Sequence, residues 1–379
     1  MNMILSVLDL FSEVWVWLAL VAALGYAGVG FIDEYLLSET CDNESEDGVG
    51  NLVLISGFFG LFIALVTAIC AYIVDGGQSL MIASSLRWQA EIAGGLEVVW
   101  LIPYLYAVNR SGAMNVAPIF QAIPIFTLLI GGIFFSEIPT TLHVMGSFTI
   151  VIGTFLLNSG SLMDGIRGVT LVKMISGVII LSVALFGPLL MVVASVNLTV
   201  AAGTVGVMML IIFLAFVKAE VFKVDSKTIL LAFTSCAIIA LVYFLFKGSV
   251  LEGNFIATAF WSGIGMAGFT LVIAIVWVPY RKQFIRFLRQ GSSKALLIQT
   301  GNESLNTISV LASHMANVKA PSVMLASTFN CFHPIFTLVI GGLLAVCGSR
   351  KHQEHLRGSF LKVGVAILMI ATGTVLISL

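Results

Sequence analysis

The sequence predicts an all-α polytopic membrane protein built from two related halves, on three observations. Of 379 residues, 59% are hydrophobic and 10% charged, with a mean hydropathy of +1.08, whereas soluble domains carry about 25% charged residues. Many apolar runs reach the ~20 residues a helix needs to cross a bilayer, and runs such as 211–217 and 361–370 do not alternate as barrel strands do. Finally, Pro124 to Gly132 reads PIFTLLIGG and Pro334 to Gly342 reads PIFTLVIGG, eight of nine residues recurring 210 positions later (334 − 124). A repeat of this length is read before any local feature, because it fixes the architecture.

The net charge of -1 predicts no polyanion partner, so nucleic acid is excluded. Cys41, Cys70, Cys236, Cys331 and Cys347 form no CxxC pair and are expected as free thiols, with no metal site. The N-terminus lacks the basic start and small-residue cleavage site of a signal peptide, so the first apolar run is expected to stay as a span.

The first span covers 14–32, with Gly25, Gly28 and Gly30 as a close-packing face. It leads into an acidic linker holding seven carboxylates between Asp33 and Asp47. Span two covers 52–74. The third, 85–107, carries Arg87 and Glu91 one turn apart, a pair expected at the interface. Deeper in it, Glu97, Trp100 and Tyr104 share a face by 3-then-4 spacing, which predicts an aromatic-lined polar stripe toward the bundle interior. Span four, 113–135, contains Pro118, Gln121 and Pro124. Its prolines predict a kink or unwound turn, tolerated in a membrane only where protein or a cavity satisfies the backbone. Span five, 141–158, has Gly146 and Gly153 on one packing face.

The second copy is expected to begin at 228–246 and to continue with 256–279, a basic loop (Arg281, Lys282, Arg286, Arg289, Lys294) and a span over 295–315. That span holds the best polar stripe in the chain. Gln299, Glu303, Asn306, Ser309 and Ser313 are spaced 4, 3, 3 and 4, one helical face, which in lipid must line a cavity or pack on another polar face. The following span adds Asn330 and His333 just before Pro334.

Tyr106-Ala107, Pro118, Gln121, Pro124, Gly131, Gly132, Glu137, Gly146 and Gly153 in the first half, and Ala316, Pro334, Gly341, Gly342 and Gly373 in the second, follow an order that resembles the five-span EamA-type domain of the drug/metabolite transporter superfamily. The chain departs from the pattern where Cys347 replaces the counterpart of Glu137 and where 348–358 lengthens a loop. The resemblance implies two five-helix repeats, 1–160 and 228–379; between them the sequence departs from the family with an inserted segment, 161–227, whose apolar runs over 169–198 and 200–217 read as two additional spans, hence 10 to 12 transmembrane spans. Seven spans separate Pro124 from Pro334 if both inserted runs cross, an odd number that inverts one repeat relative to the other. Fifteen of the 18 Lys and Arg then fall on the side opposite the termini, which the positive-inside rule places in the cytoplasm; the resemblance implies cytoplasmic termini instead.

The function expected is secondary-active transport of a small organic metabolite or drug-like solute by alternating access, in the bacterial inner membrane, without ATP or a cofactor. The expected cavity and coupling residues are Glu97, Trp100, Tyr104, Gln121, Gln299, Glu303, Asn306, Ser309, Asn330 and His333, with kinks at Pro118, Pro124 and Pro334. Glu97 and Glu303 would face the cavity from opposite halves, and a carboxylate held away from water can exchange a proton for a solute. Partners are then the solute, a proton or other cation, and membrane lipid, with monomer and homodimer both open. A lipid or lipid-linked-sugar flippase of the same superfamily, and a non-transporting receptor or scaffold whose polar residues only join helices, are the other readings. No HExxH, GxSxG or P-loop motif suggests an enzyme.

Overall fold

The computed structural model of the protein describes residues 10–40, 48–117, 119–135, 137, 140–158, 225–290, 293–330, 332–346 and 360–378. Helices make up nearly all of these residues, and no strand occurs among them. In chain order they are α1 (Val14–Thr40), α2 (Val49–Asp75), α3 (Ser84–Ser111), α4 (Ala113–Val116), α5 (Ile123–Phe134), α6 (Thr141–Asn158), α7 (Ser226–Glu252), α8 (Phe255–Val276), α9 (Val278–Gln290), α10 (Ser293–Lys319), α11 (Val323–Asn330), α12 (His333–Val346) and α13 (Phe360–Ser378). Six of the described helical segments are long and apolar enough to cross a membrane, as expected of an all-α membrane protein. The apolar runs of the inserted segment, Cys347 and the loop after it lie outside the described residues.

Helix ends follow local chemistry. α2 stops where Gly76 takes a left-handed φ of 70° and returns its N–H to the Tyr72 carbonyl, a conformation an L side chain resists. Asp225 starts α7: its Oδ1 accepts from the Thr228 N–H at 3.0 Å, and its other oxygen pairs with Arg110 at the end of α3. These bonds hold the Asp225 carboxyl well below the ordinary carboxylate range, led by the Arg110 hydrogen bond. A depressed folded-state value stabilises above the unfolded value, near pH 4, and the gain is lost as pH falls through the folded one. Asp225→Asn is therefore expected to lower the melting temperature at pH 7, with the difference from wild type shrinking in melts taken below pH 4.

Two spans are broken in mid-bundle. The chain from 113 to 134 runs as α4, a 3-10 turn over Ile119–Ala122, and α5; the chain from 323 to 346 runs as α11 and α12. Pro124 and Pro334 each occupy the second position of the half-helix that follows the break. They start helices there instead of kinking them, because a first-turn residue needs no N–H. Pro118 lies outside the described residues. Pro103, inside α3, leaves a carbonyl of that helix without its usual donor, and Ser235 donates to the neighbouring Trp100 carbonyl at 3.1 Å.

The helices pack as pairs: α1 with α10, α3 with α7, α2 with α8, α6 with α13, and α5 with α11. Small residues set the distances. A Cβ built on Gly60 would fall 2.5 Å from the Gly263 carbonyl, and one on Gly263 2.5 Å from the Gly60 carbonyl. Gly146 and Gly373 stand in the same reciprocal relation, at 2.6 and 2.5 Å. Gly25 and Gly28 admit Ser309 and Leu305 of α10. α8 also runs along α3, where Gly94 meets the Ser262 carbonyl and Gly265 the Glu91 carbonyl, backbone on backbone. The equivalent neighbours α2 and α10 touch far less, and α9 packs on α2 instead.

Several charged residues differ from the sequence reading. Asp33 and Glu34 do not belong to a solvated linker, because α1 continues past them to Thr40. The Arg87 guanidinium lies 4.4 Å from the centre of the Trp261 ring and is not bonded to Glu91. All five basic-loop residues form part of helix: Arg281, Lys282, Arg286 and Arg289 lie in α9 and Lys294 in the first turn of α10. Glu137 bonds Lys247 at 2.6 Å and accepts from the Val323 N–H, the first of α11, at 3.0 Å. In the other half, Glu34 accepts from the Ala113 N–H, the first of α4, at 3.0 Å. Each broken span thus begins under a carboxylate, where the helix dipole favours negative charge.

Candidate functional site

Two half-helices cannot satisfy their inner ends with each other, so the space around such a break is polar or filled by side chains from neighbouring helices. Here it holds a cavity of about 90 Å³, several times what one water needs. It lies against both breaks. Ala117, Phe120 and Gln121 border it from the first, and Ser327, Asn330 and His333 from the second, while α1, α2, α3, α7 and α10 supply the remaining wall.

Two carboxylates define its polar side. Asp33 from α1 accepts from Asn302 Nδ2 at 2.7 Å and bonds the Tyr104 hydroxyl. Glu303 from α10 accepts on Oε1 from both Ser56 Oγ, at 2.5 Å, and Gln299 Nε2, at 2.8 Å. Both side chains are almost fully buried, Asp33 with 6% and Glu303 with 3% exposure. Asn302 and Glu303 are consecutive on α10, so one turn of that helix serves both acids.

Beside the acids the wall is aromatic. Trp100 and Tyr104 have ring centres 5.4 Å apart, and Phe120 stands edge-on to Tyr104 at 5.5 Å. Tyr26 and Tyr243 join them around the cavity and share hydrogen bonds with each other and with Ser313. Asn330 Nδ2 donates to that same Ser313 at 3.1 Å.

Of the residues expected from sequence, Trp100, Tyr104, Gln121, Glu303, Asn306, Asn330 and His333 all border the cavity. Three stand behind it. Gln299 reaches it only through Glu303. Ser309 donates to the Leu305 carbonyl at 2.8 Å and packs against Gly25. Glu97 is set back from the lining: Trp100 Nε1 donates to its Oε2 at 2.6 Å, and its Oε1 lies 3.0 Å from His314 Nε2. The imidazole of His314 stacks flat on Phe246 at 3.9 Å. Two acids facing one cavity from opposite halves is therefore the wrong pairing for Glu97 and Glu303; Asp33 and Glu303 make that pair.

Asp33, Ser56, Asn302, Tyr26, Tyr243 and Phe120 are cavity residues that the sequence reading passes over. For Asp33 a signal existed: Tyr26, Gly30 and Asp33 follow at 4 and 3, the spacing of one helical face. Among the described residues, no group of three or more His, Cys, Asp or Glu is placed to hold a metal ion. Cys70 and Cys236 are free thiols.

No family model matches the chain, and no curated protein does. One solved structure, described only as "Crystal structure of protein", is similar at 12% identity with a TM-score of 0.49 over 94% of each chain, too distant to bear on what this protein does.

Proposed function

We propose that the protein is a secondary-active transporter of the EamA-like kind, moving a small organic solute through the cavity by alternating access between two inverted five-helix repeats. The observation that carries this reading is the cavity's position, at the breaks of two discontinuous helices and lined from both halves of the chain. Transporters built from inverted repeats bind at such breaks, where unwound backbone and buried polar groups meet near mid-membrane.

The pairing of helices supports the repeats. A two-fold relation that exchanges the halves maps α2 onto α8 and α6 onto α13, so each should meet its own counterpart at reciprocal contacts. Gly60 with Gly263 and Gly146 with Gly373 do so. The same relation exchanges the α1–α10 pair with the α7–α3 pair. Ala113 and Val323, both capped by a carboxylate, are 210 residues apart (323 − 113), the same offset as Pro124 and Pro334. The relation fails most at one seam, where α3 and α8 are closely packed while α2 and α10 are not, and α5 with α11 is likewise closer than its counterpart α12 with α4. Alternating access predicts this asymmetry, since one seam closes while its counterpart opens. A bacterial inner membrane is the location that the resemblance implies.

The test is thiol accessibility on a cysteine-free background. Single cysteines at Asn302, Glu303 and Asn306 should react with a membrane-impermeant thiol reagent. Cysteines at Leu297 and Ile308, which are 73% and 58% exposed on the outer surface of the bundle, should stay unreactive in lipid. Silence at all three cavity positions, from both sides of the membrane, would overturn the reading.

A further inference from the structure

The cavity walls carry an unbalanced charge. Asp33 and Glu303 both border it, yet no Lys or Arg does, and His333 is its one basic side chain among the described residues. The bonds the structure gives these acids come from neutral groups: Asn302 and Tyr104 on Asp33, and Ser56, Gln299 and Asn306 on Glu303. Neutral donors satisfy oxygen lone pairs but do not cancel charge, and an uncompensated charge inside a membrane bundle is costly. Lys247 and Arg110 are committed elsewhere, to Glu137 and to Asp225. Among the described residues nothing positive faces these two acids except His333, and bound protons or a cation would compensate them.

The other walls suit the second. Trp100, Tyr104 and Phe120 present a continuous aromatic group beside the acids, and aromatic faces attract a desolvated cation. An anion finds less. Helix N-termini are the usual anion sites in such breaks, but Pro124 and Pro334 remove an N–H from the first turn of α5 and α12. At α12 the next two N–H groups, of Ile335 and Phe336, already donate to the Phe332 carbonyl at 2.9 and 3.2 Å.

We infer that the solute carries positive charge on an apolar body, as a protonated amine or a quaternary ammonium, with its charged head between Asp33 and Glu303 and its apolar part against Trp100, Tyr104 and Phe120. This rests on the transporter reading of the same cavity. In the cycle it implies, only an O–H bond changes: one proton leaves the pair of carboxyls for water when the singly charged cation enters and returns when it departs, so the pair never carries an uncompensated charge.

The experiment uses three probes of one shape and different charge: choline (positive), 3,3-dimethyl-1-butanol (neutral) and 3,3-dimethylbutyrate (negative). Each is titrated calorimetrically into the purified full chain in lipid nanodiscs. Choline is expected to bind about tenfold more tightly than the neutral isostere or better, with the anion weakest. Asp33→Asn and Glu303→Gln should each weaken choline binding about tenfold while keeping the melting temperature, and Phe120→Leu should weaken it less. Equal or tighter binding of the neutral or anionic isostere overturns the inference, as does choline affinity unchanged in the Asp33→Asn, Glu303→Gln double variant, or choline binding weaker than ~100 mM. Flux into proteoliposomes then separates the two readings. Cation-selective binding without flux of any bound cation removes the transporter and leaves the charge class; flux of neutral or anionic solutes alone keeps the transporter and removes the charge class.

Discussion

Glu303→Gln is expected to lower solute flux by about two orders of magnitude while leaving the folded protein intact. The substitution is close to isosteric. Glu303 Oε1 accepts from Ser56 Oγ and Gln299 Nε2, and a glutamine carbonyl oxygen in its place can accept both bonds, so α2, α10 and the cavity wall keep their junction. What disappears is the charge and the ability to take up a proton. Hydrogen bonds to charged groups contribute about 1.5–3 kcal/mol, against about 1 for neutral ones, and a mobile proton cannot be replaced at all. Proteoliposome flux, measured beside thermal melts of the same preparation, checks the outcome. A variant that melts as wild type does and transports at the wild-type rate would remove Glu303 from the mechanism. Loss of flux together with a collapsed melt would instead mark Glu303 as a structural residue. Asp33→Asn should lower flux in the same way; its carbonyl can still accept from Asn302 Nδ2, while the bond to the Tyr104 hydroxyl makes its melt the more sensitive of the two.

Gly263→Val is expected to destabilise the bundle by about 1–3 kcal/mol or more, and Gly60→Val by a similar amount. In each case the new Cβ would meet a backbone carbonyl at 2.5 Å, Gly60 O in one and Gly263 O in the other. Backbone in a packed helix cannot swing aside as the end of a side chain can, so α2 and α8 must separate. Because both substitutions press on one contact, the double variant should cost less than the sum of the singles. Gly268→Ala on the same helix is the control. A Cβ there meets nothing within 4 Å, and removing a mid-helix glycine stabilises by up to about 1 kcal/mol. Thermal melts of the four proteins in one detergent decide the matter, and equal melting temperatures for Gly263→Val and Gly268→Ala would refute the packing argument.

How far the sequence could be read is set by which interactions are local. The PIFTL repeat points to the two helix breaks because proline acts on the backbone of its own neighbours. The polar face of the helix over 293–319 is equally legible, since polar residues at 3 and 4 spacing inside a membrane protein have to face other protein groups or a cavity. Asp33 is harder. It heads a run of carboxylates, and local composition then outweighs the helical spacing that ties it to Tyr26 and Gly30. Glu97 shows a second limit: periodicity assigns a face, not a depth, and the imidazole beside it comes from His314, 217 residues further on (314 − 97). No pattern within one helix contains that contact. The aromatic wall is half legible for the same reason, with Trp100 and Tyr104 on one helix and Phe120 brought in by the turn after the first break.

The seam between the helices over 84–111 and 255–276 has a mechanical consequence. At Gly94 with Ser262 and at Gly265 with Glu91 the surfaces in contact are main chain on main chain, without side chains meshed like teeth. Interlocked leucines must each hop to a new rotamer before two helices can shift past one another. Bare backbone needs no such hop at these two points, although side chains cross the same seam beside them, the Phe269 ring on Gly95 and Arg87 on the Trp261 ring. An alanine added there would set its Cβ even closer to opposing main chain than one at Gly60 or Gly263, so it would act as a wedge that forces the two helices apart.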